Sequence, residues 1–161
     1  MVLDAIKTYF ERGGQLEFTF AGGGVYTDHL RAFAGRFSNF HYLGLVSPTE
    51  AAQINANYTW ALLPIEDDVT RFAFPSKSSS YVCAGANILA ICGEQSGVAQ
   101  WVQENQLGLV IKPHVEAVVA AFFNIEKGLY QELSDNASRE ALTAKLRFEV
   151  FLKALNRIVL E

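Results

Sequence analysis

The chain has 161 residues, half of them hydrophobic, and a formal net charge of -4 at pH 7 with acidic and basic residues mixed along its length. This composition excludes a disordered chain and offers no basic surface for nucleic acid, so nucleic acid is not an expected partner. No apolar run approaches the roughly 18 residues of a membrane span, so we expect one soluble domain over residues 1–161 in the cytoplasm.

Hydrophobic periodicity predicts an alternation of helices and strands. Apolar residues at helical spacing predict a helix from Val2 to Tyr9, and the run from Leu16 to Phe20 predicts a strand that ends at a triple-glycine turn. The elements that follow are helix Leu30 to Phe37, strand Phe40 to Leu43, helix Thr49 to Ala56, strand Thr59 to Leu63, a polar helix after Pro75, strand Ile88 to Ile91, helix Val98 to Asn105, strand Leu109 to Ile111 and further helices. This order is typical of an α/β protein with a Rossmann-like parallel sheet flanked by helices.

The strand from Ile88 to Ile91 has the composition of a strand that is buried on both faces. Cys83 and Cys92 flank it, so we interpret them as reduced core thiols rather than a disulfide or a metal pair. Trp60 and Trp101 are also expected in the core. The three histidines are scattered without ligand spacing, which indicates no metal site.

The polar helix that follows Pro75 carries the most distinctive candidate site. Ser76 is a good N-cap candidate, and the free N–H groups of a helix start attract phosphate. At helical spacing Lys77, Ser80 and Tyr81 share one face, which carries a cation, a hydroxyl and a phenol. Because serines after a proline form a poor helix without a compensating interaction, we favour a binding role over a merely capped, solvent-facing helix start.

Other polar or glycine-rich segments also follow predicted strands, and they therefore share the edge of a parallel sheet at which ligands bind. Gly22 to Gly24 would let the backbone approach a phosphate, although a tight turn explains these glycines about as well. The acidic run from Glu66 to Asp68 is interpreted as a solvated loop rather than a cation site. The segments at this edge are Gly22 to Gly24, Leu45 to Ser47, Pro64 to Phe74 and Cys92 to Gly97.

The pieces of the chain stand in a specific order, namely Phe18 to Gly24, Tyr42 to Ser47 with Glu50, Leu62 to Pro64, Phe74 to Ala90, and Ser96-Gly97 followed by Gly108 to Ile111. Over nearly the whole chain, this order resembles the C-terminal, nucleotide-sugar-binding half of a two-domain GT-B glycosyltransferase. The nearest resemblance is to the bacterial polysaccharide-biosynthesis branch, of the glycosyl transferases group 1 type. The resemblance implies a nucleoside diphosphate sugar as the donor substrate, with no cofactor and no bound metal.

The resemblance also implies positions for the donor. It places the base near Val46 and Ser47, the ribose near Ser80, and the diphosphate near Gly23 and the turn from Thr70 to Ser76. A lysine beside this turn would neutralise phosphate charge, because such enzymes stabilise the leaving nucleoside diphosphate with helix N-termini and basic side chains. The candidate substrate-binding residues are Gly23, Gly24, Val46, Ser47, Thr70, Pro75, Ser76, Lys77, Ser80 and Tyr81, and no catalytic residue is assigned.

The chain departs from the family pattern in two respects. The paired glutamates of many relatives would fall at Phe72 and Ser80, and a serine accepts a ribose hydrogen bond less strongly than a carboxylate does. The family domain opens with a strand and a basic loop, whereas this chain opens on a helix. We therefore expect a sheet whose first, central strand is missing, in a fragment that is incomplete at the N-terminus or in a chain that a partner completes.

Three functions remain open at this point. The leading one is transfer of a sugar from a nucleoside diphosphate sugar to a glycan or lipid-linked acceptor, in the cytoplasm or at the inner membrane surface. It requires an acceptor-binding domain or partner chain, so we expect this chain alone to be inactive. The alternatives are a non-catalytic nucleotide-binding or interaction subunit and a nucleotide-sugar epimerase fragment. The sugar, base, acceptor, stereochemical course and any homo-oligomer also stay open.

Overall fold

The computed structural model describes residues 1–65, 75–130 and 136–146, apart from the side chains of residues 136 and 137. Helices and strands alternate along these residues, as the hydrophobic pattern predicts. Their bounds are α1 Val2–Glu11, β1 Phe18–Ala21, α2 Thr27–Arg36, β2 Phe40–Gly44, α3 Pro48–Ala56, β3 Trp60–Pro64, α4 Ser76–Cys83, β4 Asn87–Ile91, α5 Gly97–Glu104, β5 Gly108–Ile111, α6 Val115–Glu126 and α7 Asn136–Lys145.

The strands form two parallel sheets rather than one. Among the described strands β1 pairs with β2 alone, with Phe18 opposite Phe40, whereas β3, β4 and β5 form a second sheet in that order. Among the described residues, no hydrogen-bonded ladder joins β1 to β3. The predicted Rossmann-like α/β class is confirmed, with the parallel strands divided between two open sheets.

One hydrophobic core connects the two sheets. Phe18 of β1 and Phe40 of β2 are buried in the same cluster as Leu89 and Ile91 of β4, beneath side chains of α1 and α6. The ring of Phe18 meets that of Phe122 edge-on, with centroids 5.0 Å apart. This packing holds the sheets next to each other although no backbone ladder joins them.

The other face of the second sheet carries a separate core under α4 and α5, which includes Val82 and Val102. β4 contributes to both cores, and each of its five residues is buried, as the sequence predicts. Neither Cys83 nor Cys92 forms a disulfide within the described residues, but the prediction of a core position for Cys83 is wrong. The neighbouring Val82 fills the core, and Cys83 lies on the exposed side of the helix.

The two tryptophans are half-buried. Trp60 packs against the core that connects the sheets, and Trp101 packs against the core under α4 and α5. Their expected core positions are therefore only partly met, because each indole lies at the margin of its cluster.

Tyr9 fixes the connection between α1 and β1. Its fully buried hydroxyl accepts hydrogen bonds from the backbone N–H groups of Gln15 at 3.0 Å and Leu16 at 2.9 Å. A Cβ at Gly14 would lie 2.2 Å from the ring, so only glycine admits the ring at this distance. Burial of the phenol raises the pKa of Tyr9 to about 12.

We expect Tyr9→Phe to lower the free energy of unfolding by about 1–3 kcal/mol, because the Leu16 N–H loses its buried acceptor while the ring is kept. The Gln15 N–H also loses the hydroxyl but keeps a hydrogen bond to the Glu126 carboxylate at 2.8 Å. Because the folded-state pKa lies above the ordinary value of 10.0, this tyrosine contributes stability below pH 10 that is lost as the pH rises towards 12. Urea unfolding followed by circular dichroism, with the exposed Tyr26→Phe as control, measures both effects. An equally steep alkaline loss in Tyr9→Phe would contradict this role.

Candidate functional site

A cavity of about 530 Å³ lies between β1 and β3. The two strands form its long walls, and residues of both flanking helical layers line it as well. On one side lie Leu89, Phe122 and Ile125, and on the other lie Ala51 and Ile54 of α3. The Thr19 and Tyr58 hydroxyls share a hydrogen bond, which places the start of β3 beside β1. The cavity is therefore a largely apolar slot between the facing edges of two sheets.

Three of the predicted site residues line this slot together. Lys77, Ser80 and Tyr81 lie on the same side of α4, as their helical spacing predicts. Lys77 and Ser80 are exposed, and Tyr81 is half-buried. Burial raises the pKa of Tyr81, so its phenol stays protonated at neutral pH and can donate a hydrogen bond. This helix face thus presents an ammonium and two hydroxyls to a ligand.

The start of α4 differs from the prediction. Pro75, not Ser76, occupies the N-cap position, and Ser76 is the first helical residue. Pro75 has no side-chain acceptor, so the first-turn N–H groups have no side-chain cap. The prediction failed because the Pro75 carbonyl closes the turn, accepting hydrogen bonds from the backbone N–H of Ser78 at 3.1 Å and from its hydroxyl at 2.6 Å.

Residue type alone does not distinguish Ser78 from the serines next to it in the sequence. It is fully buried, and it lies four residues before the buried Val82 on the core side of α4. That spacing is the signal that separates it from Lys77 and Ser80. The hydrogen bond from its hydroxyl to Pro75 supplies part of the compensation that a serine-rich helix start needs.

The charges around the slot are sparse. Glu17 and Lys77 are the charged residues among the described residues that line it. Glu17 directly precedes β1, whereas Lys77 lies beyond the end of β3. Within the described parts of the chain no carboxylate pairs with Lys77, whereas Lys112, which directly follows β5, lies 3.4 Å from Glu94. Among the residues that the structure describes, the positive charge of Lys77 is therefore not compensated by a carboxylate, and it is suited to an anion.

The glycine turn after β1 is braced by local hydrogen bonds. Gly22 and Gly24 have φ angles of +132° and +141°, which favour glycine. The Tyr42 hydroxyl donates to the Gly22 carbonyl at 2.7 Å, and the Gly24 N–H donates to the Thr27 hydroxyl at 3.2 Å. Gly23 and Gly24 do not line the slot, and the Gly24 amide already has a partner.

Large apolar side chains surround this turn. Val25, Tyr26 and Leu45 are 94%, 69% and 85% exposed, and a Cβ at Gly23 would lie 3.1 Å from the Leu45 side chain. We call these three residues the apolar rim.

Ser47 has a structural role at the start of α3. It forms a capping box, in which the Glu50 N–H donates to the Ser47 hydroxyl at 3.2 Å and the Ser47 N–H donates to the Glu50 carboxylate at 2.7 Å. This backbone hydrogen bond holds the pKa of Glu50 below its ordinary value. Val46 is half-buried beside it, and neither Val46 nor Ser47 lines the slot.

Several sequence predictions lie outside the described residues. They are the acidic run Glu66 to Asp68, the candidate site residue Thr70, and Phe72, where the resemblance described above would place a glutamate.

Neither a scan against protein-family models nor a search of the curated proteins finds a match to this chain. Among the residues that the structure describes, no three His, Cys, Asp or Glu side chains are grouped closely enough to hold a metal ion. None of the described helices is both long enough and apolar enough to cross a membrane.

We expect Ser47→Ala to lower the free energy of unfolding by about 1 kcal/mol, because the capping box at the start of α3 is lost. Ser47→Asp should retain most of it, since aspartate also caps helices. Since the pKa of Glu50 is lowered, the carboxylate half of the box stabilises above the ordinary pKa of 4.5 and is lost as the pH falls through the folded-state pKa. Urea titrations at neutral and acidic pH test this, with Ser79→Ala as control. Equal losses in the two alanine variants would refute the capping role.

Proposed function

We propose that this chain is the donor-binding half of a GT-B glycosyltransferase, which moves a sugar from a nucleoside diphosphate sugar to a glycan or lipid-linked acceptor. The acceptor-binding domain would come from another polypeptide or another part of a longer one. The observation that carries the proposal is the common placement of Lys77, Ser80 and Tyr81 beside a slot in a parallel α/β fold. In such sheets ligands bind beyond the carboxyl ends of the strands, and α4 begins beyond that end of β3.

The chemistry of α4 suits a nucleoside diphosphate. The uncapped helix start and Lys77 both attract negative charge, and the two effects add at the position of a diphosphate. Ser80 lies one turn further along the helix, where its exposed hydroxyl can hydrogen-bond a ribose hydroxyl. In the transfer reaction, negative charge grows on the departing nucleoside diphosphate, and a fixed cation stabilises that charge more strongly than it stabilises the bound substrate.

A second candidate is an interaction subunit that keeps the fold without transferring sugar. Ser80 favours it, because this residue stands where many relatives carry a glutamate. The described lining residues also offer no carboxylate near Lys77. Glu17 precedes the first residue of β1, whereas Lys77 lies beyond the last residue of β3, at the other end of the slot.

We expect the chain to bind one of UDP, GDP or ADP more tightly than the matching monophosphate, and Lys77→Ala to weaken diphosphate binding by about 1.5–3 kcal/mol, as for a charge-assisted hydrogen bond. Isothermal titration calorimetry measures both. Lys7→Ala is the matched control, because Lys7 is a half-buried lysine of α1 that does not line the slot and whose neighbour is Glu11 of the same helix. Unchanged affinity in Lys77→Ala would remove Lys77 from the site, and no binding of any diphosphate would favour the interaction subunit.

We expect Ser80→Ala to reduce the preference for ribonucleoside over deoxyribonucleoside diphosphates by about 0.5–1.5 kcal/mol, because the ribose hydroxyl loses its partner. Competition titrations with the two sugar forms give the preference directly. Ser79→Ala is the control, since Ser79 is the adjacent residue and does not line the slot. A loss of equal size for both sugar forms would contradict a ribose contact.

A further inference from the structure

β1 presents one unpaired edge to the slot. Its hydrogen bonds to the β2 side include Phe18 N–H to the Asn39 carbonyl at 2.8 Å, and the Gly22 N–H just after the strand donates to Gly44 at 2.7 Å. Successive residues of a strand direct their backbone groups to opposite sides. The N–H and C=O groups of Thr19 and Ala21 therefore point away from β2, towards the slot.

β3 presents the matching edge from the other side. The Thr59 carbonyl accepts from Asn87 at 2.8 Å, and the Ile65 N–H donates to the Ile91 carbonyl at 3.0 Å, so these groups face β4. By the same alternation, the backbone groups of Trp60 and Leu62 face the slot. Trp60 and Leu62 line the slot, as do Thr19 and Ala21.

The slot has the character of a strand position in the middle of a sheet. Backbone donors and acceptors lie on its two long walls, while the helix-facing sides are apolar, with Phe122 and Ile125 opposite Ala51 and Ile54. β4 likewise lies between two strands and is buried on both faces. A segment that occupies the slot must therefore be apolar on both faces, as β4 is. Four to five residues, the lengths of β1 and β3, would span it at roughly 3.3 Å each.

We propose that the slot binds an extended apolar strand of a partner polypeptide, which hydrogen-bonds to β1 on one side and to β3 on the other. The bound strand would run parallel to both and join the two sheets into one. Its first residues would lie near Glu17 and its last near Lys77, so a basic residue before the strand and an acidic or hydroxyl residue after it complement the charges. The proposal does not depend on nucleotide binding, because it concerns the strand edges.

The occupant needs two free edges, and this argues against a second copy of the chain. Each described strand is already paired with at least one other strand, so none of them could enter the slot and pair on both sides. A described strand of a second copy has at most one free edge, so it could pair with one wall of the slot but not with both. A small apolar molecule would fill the volume but would leave the backbone groups of Thr19, Ala21, Trp60 and Leu62 without partners.

The test uses a pool of capped hexapeptides, with Lys first, Ser last and Val, Ile, Leu or Phe at the four positions between. Peptides retained by the chain are identified by mass spectrometry, and the best is titrated and studied by amide hydrogen exchange. We expect exchange to slow at least tenfold at Thr19, Ala21, Trp60 and Leu62. The amides of Phe18 and Ile65 serve as internal controls, because they are already bonded.

Two further measurements make the test specific to backbone pairing. The same peptide with alternate amides N-methylated should bind at least tenfold more weakly. The Ala21→Pro variant should also bind the unmodified peptide at least tenfold more weakly, because the substitution removes an N–H that faces the slot. Proline is tolerated on a strand edge, so the thermal unfolding midpoint of this variant without peptide should be unchanged. If that variant fails to fold, hydrogen exchange in the unaltered chain still decides.

Three outcomes would overturn the proposal. One is that no peptide of the pool binds. Another is that the N-methylated peptide binds equally well, which would indicate a cavity for apolar molecules. The third is protection of the four amides without peptide, together with dimers in sedimentation, which would indicate a second copy.

Discussion

The two sheets of this fold are held side by side by packed side chains rather than by backbone hydrogen bonds. Phe18 and Phe40 from one sheet share a core with Leu89 and Ile91 from the other, beneath α1 and α6. Hydrophobic contact is non-directional, so it can fix the spacing of two sheets without pairing their edges. The slot exists because of this arrangement, and it is the cavity that Lys77, Ser80 and Tyr81 all line.

Local hydrogen bonds divide the polar groups near the carboxyl edges of the sheets into two classes. The Ser47 hydroxyl is used to start α3, the Gly24 amide to brace its turn, and the Ser78 hydroxyl to close the first turn of α4. These groups meet the chain's own structural needs and have less capacity left for a ligand. Lys77 and Ser80 are exposed at the slot and have no such role within the described residues.

Most of the fold could be predicted from the sequence because helix and strand periods are local properties. The burial of β4 on both faces follows from its apolar run, and the shared face of Lys77, Ser80 and Tyr81 follows from helical spacing. The exposure of Cys83 could not be predicted, since it depends on how the helix rotates against the sheet. The N-cap of α4 could not be predicted either, since it depends on the Pro75 carbonyl closing the first turn. The bond between Thr19 and Tyr58 joins residues that meet only after folding.

The apolar rim is an exposed surface formed by Val25, Tyr26 and Leu45. The affinity of a molecule that binds to this rim would depend on temperature and salt differently from the affinity of an anion that binds at Lys77. Covering the rim would release water from apolar surface, with a negative heat capacity change and little dependence on ionic strength. An anion held by Lys77 would instead be weakened by added salt. Raised ionic strength would therefore separate the two contributions in any complex that engages both.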